Sequence, residues 1–300
     1  MKTFFKIIWG FFAVCGILAL VGVCFLVPFS KRVTISYNAL GLYEELADSL
    51  RSAAPYVADT TQFHIRSVQD SARAAEIRAY FCLDTLYDAH ASTWENTLAL
   101  ARFVSSNIPH ANQKIQPEKR NAIALWEYSR TVEPAFNCRL HSIMLYELLT
   151  SVGITATYIT CLPQIDDGDC HVVDQVWLPE YGKWAMIDSD MVSYVTDKDG
   201  TPLSLAEIRE RLIADEDIYF HENYGKGSKK LGYYKAYLTK NTYWFSCWET
   251  IHYDQEPSAN NPDAGRYINL VPPGFTPPSY IGEGEIVTSD AGQFWAAPLN

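Results

Sequence analysis

The stretch Asn137-Cys138-Arg139-Leu140-His141-Ser142-Ile143-Met144-Leu145-Tyr146-Glu147-Leu148-Leu149-Thr150-Ser151-Val152-Gly153 decides how the rest of the chain is read. Leu140, Ile143, Met144, Leu145, Leu148, Leu149 and Val152 recur at helical spacing, so the segment is predicted to be a helix with a strongly apolar face. Asn137 is a good N-cap and Gly153 a good C-terminal stop. Cys138 therefore falls in the first helical turn. Unpaired backbone N–H groups and the helix dipole favour negative charge there. A thiol so placed has a lowered pKa and more thiolate. The plainer reading is that Cys138 is a small buried hydrophobe.

Downstream, the pattern changes from helical to strand-like. Runs at 154–162, 171–178 and 183–188 follow one another. If Cys170-His171-Val172-Val173-Asp174-Gln175-Val176-Trp177 is extended, then His171, Val173, Gln175 and Trp177 share a face. Pro179-Glu180-Tyr181-Gly182 makes a turn, and Trp184, Met186 and Asp188 share a face of the returning strand. A four-residue loop pairs Leu178 with Lys183. That register sets Asp188 opposite Val173 and His171 opposite Asp190, and makes His171 and Asp188 diagonal neighbours on one face. A one-residue slip would separate them, with Asp190 as the fallback partner of the histidine.

A thiol at a helix start, with a histidine and a carboxylate on adjacent strands, is what nucleophilic acyl chemistry needs. The thiolate attacks a carbonyl, the imidazole accepts and returns a proton, and the carboxylate fixes the ring. Cys138, His171 and Asp188 are the candidate catalytic residues. This chemistry calls for no metal and no organic cofactor. A metal set of Cys138, His141, Cys170 and His171 is disfavoured, because adjacent residues on a strand point to opposite faces.

Three segments carry a resemblance. Asn137-Cys138-Arg139 with Leu148-Leu149 and Val152-Gly153-Ile154-Thr155-Ala156-Thr157-Tyr158 resembles the nucleophile helix and first strand of transglutaminase-like, papain-related cysteine enzymes. His171 to Trp177 resembles that family's histidine segment, and Gly182-Lys183-Trp184-Ala185-Met186-Ile187-Asp188 its Gly-Trp…Asp segment. The order and spacing suit the family, and the likeness covers roughly residues 93–190. The order of elements, helices first and then antiparallel strands, suggests an α+β fold, and the resemblance implies a papain-like, transglutaminase-like core, a nucleophile helix packed on an antiparallel sheet. It also implies a thioester intermediate formed from a peptide or amide substrate by a peptidase, amidase or acyl transferase. Phe136 stands where the family often has glycine. Phe136-Asn137-Cys138-Arg139 replaces the Gly-Gln-Cys-Trp of the animal enzymes, which weighs against protein cross-linking. One oxyanion donor is the Cys138 N–H; the second is Trp126 or another upstream group. The alternative to an enzyme is a catalytically inactive, membrane-anchored binding module that keeps the fold.

Around this core, 1–33 reads as a membrane anchor or signal segment and 34–120 as a helical N-terminal part. Residues 121–205 read as the catalytic core, and 206–300 as a C-terminal extension packed on it. Helices are expected over 38–54, 71–87, 92–107, 121–130 and 205–214. Ser92 and Glu95 form a capping-box pattern, and Pro109 stops that helix. Residues 7–29 carry no charge; as a helix they would reach about 34 Å, enough to cross a bilayer. The exit Phe25-Leu26-Val27-Pro28-Phe29-Ser30 is a poor cleavage site. The expectation is an uncleaved anchor with the domain outside the cytoplasm, periplasmic or extracellular. The alternative is secretion after cleavage.

The net charge of −11 argues against nucleic acid as a partner; a peptide or protein substrate and, through the N-terminal helix, the membrane are the expected partners. Five cysteines follow the apolar segment, an odd number that leaves at least one thiol. Cys170 pairs with Cys161 or lies buried. Trp177 and Trp184 read as core. His64, His90, His110, His221 and His252 read as ordinary surface or satisfied residues, and Asp215-Glu216-Asp217 as a solvated loop.

Overall fold

The computed structural model describes residues 41–67, 70–229, 232–254, 265–278, 281–282 and 284–298, with residue 9 and residues 12–19 of the N-terminal segment. Among the described residues no helix is long and apolar enough to cross a membrane. The expected span at 7–29 lies largely outside them.

The helices are α1 Leu42–Arg51, α2 Ser71–Phe81, α3 Thr93–Asn107, α4 Ala122–Thr131, α5 Cys138–Ser151, α6 Leu205–Ile213, α7 Tyr233–Asn241 and α8 Ala291–Phe294. The strands are β1 Arg66–Ser67, β2 Ala156–Leu162, β3 His171–Leu178, β4 Lys183–Asp188, β5 Ser193–Thr196, β6 Tyr219–Phe220, β7 Trp244–Trp248, β8 Thr250–Ile251, β9 Tyr267–Leu270 and β10 Ile286–Thr288. Eight strands form one sheet in the order β10-β9-β7-β2-β3-β4-β5-β6. Pairing is antiparallel throughout except between β9 and β10.

Helix α5 is the central element. The Asn137 side chain accepts the Leu140 N–H, and nearly every residue from Leu140 to Ser151 is buried. At about 2 kcal/mol for each large apolar side chain removed from water, this burial outweighs any propensity term. Ser142 Oγ donates to the Val172 carbonyl at 3.0 Å, tying the helix to β3. Glu147 accepts the N–H of Ala122 at 2.8 Å and of Asp254 at 3.0 Å.

Helices α2 to α5 cover one face of the sheet, packed on Val172, Val176 and Ile187. Leu50, Leu205, Ile208 and Leu238, from α1, α6 and α7, cover the other face over Ile159, Val173 and Met186. With both faces covered, β2 and β3 are buried almost end to end, polar residues such as Asp174 and Gln175 included.

The predicted register holds: Leu178 pairs with Lys183 and Asp174 with Ile187, and Gly182 takes the positive φ that closes the turn. The capping box of Ser92 and Glu95 forms as expected. Two helices are shorter than their periodicity suggested. Helix α2 ends at Phe81, where Cys82 adopts φ 51° and a 3-10 turn follows. Helix α1 starts at Leu42 after Gly41. The C-terminal extension adds β7, β9 and β10 to the β2 edge of the same sheet.

Candidate active site

Because β3 and β4 run antiparallel, the first residue of β3, His171, and the last of β4, Asp188, meet at one end of these adjacent strands. His171 Nε2 and Asp188 Oδ2 are 2.5 Å apart, and the two residues are 1% and 0% exposed. The other Asp188 oxygen accepts the N–H groups of Asp190 at 3.0 Å and Met191 at 2.9 Å. The Tyr234 hydroxyl adds a bond to Oδ2 at 2.8 Å. Four donors thus fix this carboxylate, and it in turn fixes the ring.

The N-terminus of α5 arrives at the same place. The Cys138 sulfur, a ring nitrogen of His171 and a carboxylate oxygen of Asp190 lie within 4.8 Å of one another. Nε2 is committed to Asp188, so Nδ1 is the nitrogen left for the thiol. Burial alone would push the His171 ring toward its neutral form. The Asp188 carboxylate and the neighbouring thiol outweigh that and hold its pKa well above the ordinary histidine value. Tyr237 stands edge-on to the ring, 5.1 Å between centroids, and donates to the Cys170 carbonyl at 3.2 Å.

Asp190 does not serve His171 as an orienter. Its Oδ1 receives His110 Nδ1 at 2.7 Å and His141 Nδ1 at 3.0 Å. Burial would raise the Asp190 carboxyl, but the two histidines outweigh it and hold its pKa well below the usual carboxylate range. His141 Nε2 faces the Ile108 carbonyl at 3.0 Å. His110 is half exposed, and its bond to Asp190 raises its pKa against the opposing effect of burial.

Several expectations change here. His110 is not an ordinary surface histidine but part of this cluster, and His141 faces Asp190 rather than a metal set with Cys170. The backbone of Phe136 bridges to that of His110, and its wholly buried ring stands edge-on to His141. A side chain occupies the place where the resemblance implied glycine. Trp126 is held in the helical layer, stacked on Phe103 at 5.5 Å with the Arg130 guanidinium 4.0 Å above it. Trp177 and Trp184 are half-buried and edge-on to each other, and Trp184 donates to the Ala296 carbonyl; they are less enclosed than a core reading required. Cys161 and Cys170 are free thiols, as are Cys82, Cys138 and Cys247. Asp215, Glu216 and Asp217 are exposed, as expected.

No protein-family model and no curated protein matches the chain. Solved structures show partial likenesses. One is a candidate cysteine protease from Cytophaga hutchinsonii, with 15% identity, 38% of this chain, 37% of that one and a TM-score of 0.30. Another is a candidate protease from Parabacteroides distasonis ATCC 8503, with 13% identity, 49% of this chain, 25% of that one and a TM-score of 0.26. A third is a TGase, with 12% identity, 60% of this chain, 37% of that one and a TM-score of 0.25. The chain spans between 25% and 37% of the length of these structures. This chain's own geometry sets a cysteine-bearing helix on an antiparallel sheet, with a histidine and an aspartate at the end of adjacent strands.

Proposed function

We propose that the protein is a thiol enzyme that forms a thioester from a peptide or amide substrate, with Cys138 as nucleophile, His171 as proton carrier and Asp188 as the group that orients it. The supporting observation is the division of the His171 ring between Asp188 at Nε2 and the thiol side at Nδ1. With the Nε2 proton held by Asp188, Nδ1 takes the thiol proton and later gives it to the leaving amine. The Cys138 N–H, unpaired at the helix start, is a donor for the developing oxyanion. Water or an amine then resolves the thioester, giving hydrolysis or acyl transfer. We further propose that the apolar segment 7–29 anchors the enzyme with its domain outside the cytoplasm; protease digestion of cells stripped of any outer membrane and wall that spares the domain would overturn that placement.

The pH dependence of Cys138 alkylation tests the chemistry, measured by peptide mass spectrometry on the purified full chain beside His171→Ala. Labelling should persist well below the pKa of an ordinary thiol, about 8.5. It should fall by about a hundredfold in the variant, the order of a lost general base. Labelling at the rate of an ordinary thiol, unchanged by the variant, would instead mean a binding module that keeps the fold without turnover.

A further inference from the structure

We infer that Cys138, His171 and Asp190 form a zinc site, so that a bound Zn²⁺ caps the nucleophile and holds the enzyme proposed above in a resting state. The site itself rests on geometry; only its inhibitory consequence rests on that functional reading.

Two buried polar atoms point to a ligand. Asp190 Oδ2 has no hydrogen-bond partner among the described residues, and His171 Nδ1 has none apart from the thiol it faces. The residues are 7% and 1% exposed, so water does not readily satisfy these atoms. One atom from each of the two, together with the Cys138 sulfur, fits within 4.8 Å. Zinc takes sulfur at about 2.3 Å and nitrogen or carboxylate oxygen at about 2.0–2.2 Å in a tetrahedral shell. Such ligand atoms stand roughly 3.3–3.7 Å apart, so closure on the ion needs movements of only about 1 Å.

The surroundings suit a metal as well. A zinc-bound histidine donates its other N–H to a carboxylate or carbonyl, and His171 Nε2 already holds Asp188. A ligating carboxylate is itself hydrogen-bonded, and Asp190 Oδ1 already holds His110 and His141. On binding, the thiol proton and any proton on Nδ1 leave to solvent. One Zn²⁺, one thiolate and one carboxylate then sum to zero charge in a buried place. Three protein ligands leave the fourth position to water. With its sulfur in the zinc shell, Cys138 cannot attack a carbonyl.

The test uses the full chain, with Zn²⁺ titrated against a chromophoric chelator and Cys138 labelling measured with and without the metal. The wild type should bind one Zn²⁺ per chain. Labelling should fall at least about tenfold with zinc and recover on chelation. Asp190→Asn should weaken binding by about tenfold or more, the range found when support of a metal site is removed. Should that buried substitution unfold the chain, Cys138→Ala carries the test: Co²⁺ should give thiolate charge-transfer absorption in the wild type and none in the variant. Equal labelling with and without zinc, or absence of the cobalt band in the wild type, would overturn the site. A thiol that is unreactive in the metal-free chain but binds zinc through these residues would overturn the enzyme reading alone.

Discussion

Asp188 and Asp190 stand two residues apart at the end of β4, both are buried, and they are used differently. Asp188 is saturated: two backbone N–H groups hold one oxygen, and His171 with Tyr234 holds the other. Asp190 gathers two imidazoles on a single oxygen and leaves the second bare. A carboxylate with every lone pair engaged has one orientation and imposes it on its neighbour. A carboxylate with an idle oxygen beside a thiol keeps a valence for something else. Neighbouring residues of identical type thus differ in role because of what the fold brings to each.

The largest effect that would break this contrast lies at Asp188. Asp188→Asn keeps an oxygen for the Asp190 and Met191 N–H groups but no longer fixes the His171 proton on Nε2. The Cys138 alkylation rate should fall by up to about a hundredfold, the loss expected of His171→Ala itself. The same variant has a signature in stability. The His171 pKa is raised in the folded chain, so its contribution is complete below about pH 6.5 and is lost as pH rises through the raised value. Unfolding midpoints followed upward from about pH 6.5 should decline in the wild type and stay flatter in the variant.

Asp190→Asn should act on stability more than on the thiol. Removing the anion between two imidazoles costs about 3 kcal/mol, read by denaturant unfolding at neutral pH. The Asp190 pKa is lowered, so this contribution is present above about pH 4 and is lost as pH falls through the lowered value. If Asp190→Asn slows labelling as much as Asp188→Asn, the two carboxylates share one role and the contrast fails. The smallest effect is expected of Tyr234→Phe. It removes one hydrogen bond to Asp188 and keeps the ring packing against Phe220 at 5.8 Å. A loss of about 1 kcal/mol predicts roughly fivefold slower labelling and a correspondingly small drop in the unfolding midpoint.

The saturated half of the site was largely legible in the sequence. Asn137 and the apolar face of α5 place Cys138. The four residues from Pro179 to Gly182 set the register that joins His171 to Asp188. These are local signals: a cap, a period and a loop length. The long-range contacts carry no such signal. His110 reaches Asp190 across 80 positions of chain and Tyr234 reaches Asp188 across 46. His141 had a usable signal, since it lies one helical turn after Cys138 and so shares its side of α5. The extension of the sheet was equally hidden. β7 pairs with β2 after a long excursion, and β9 lies parallel to β10, without a hairpin turn to announce either.

The attachment of Tyr234 and β7 has a consequence for when the protein becomes what it is. During synthesis the thiol, the histidine and both aspartates emerge well before α7, and β2 has an open edge until β7 arrives. Long-range strand pairings form late, because the loop must close before its contacts can repay it. The last donor to the Asp188 carboxylate therefore joins the site only after the residues it supports, and the C-terminal part of the chain completes what the core begins.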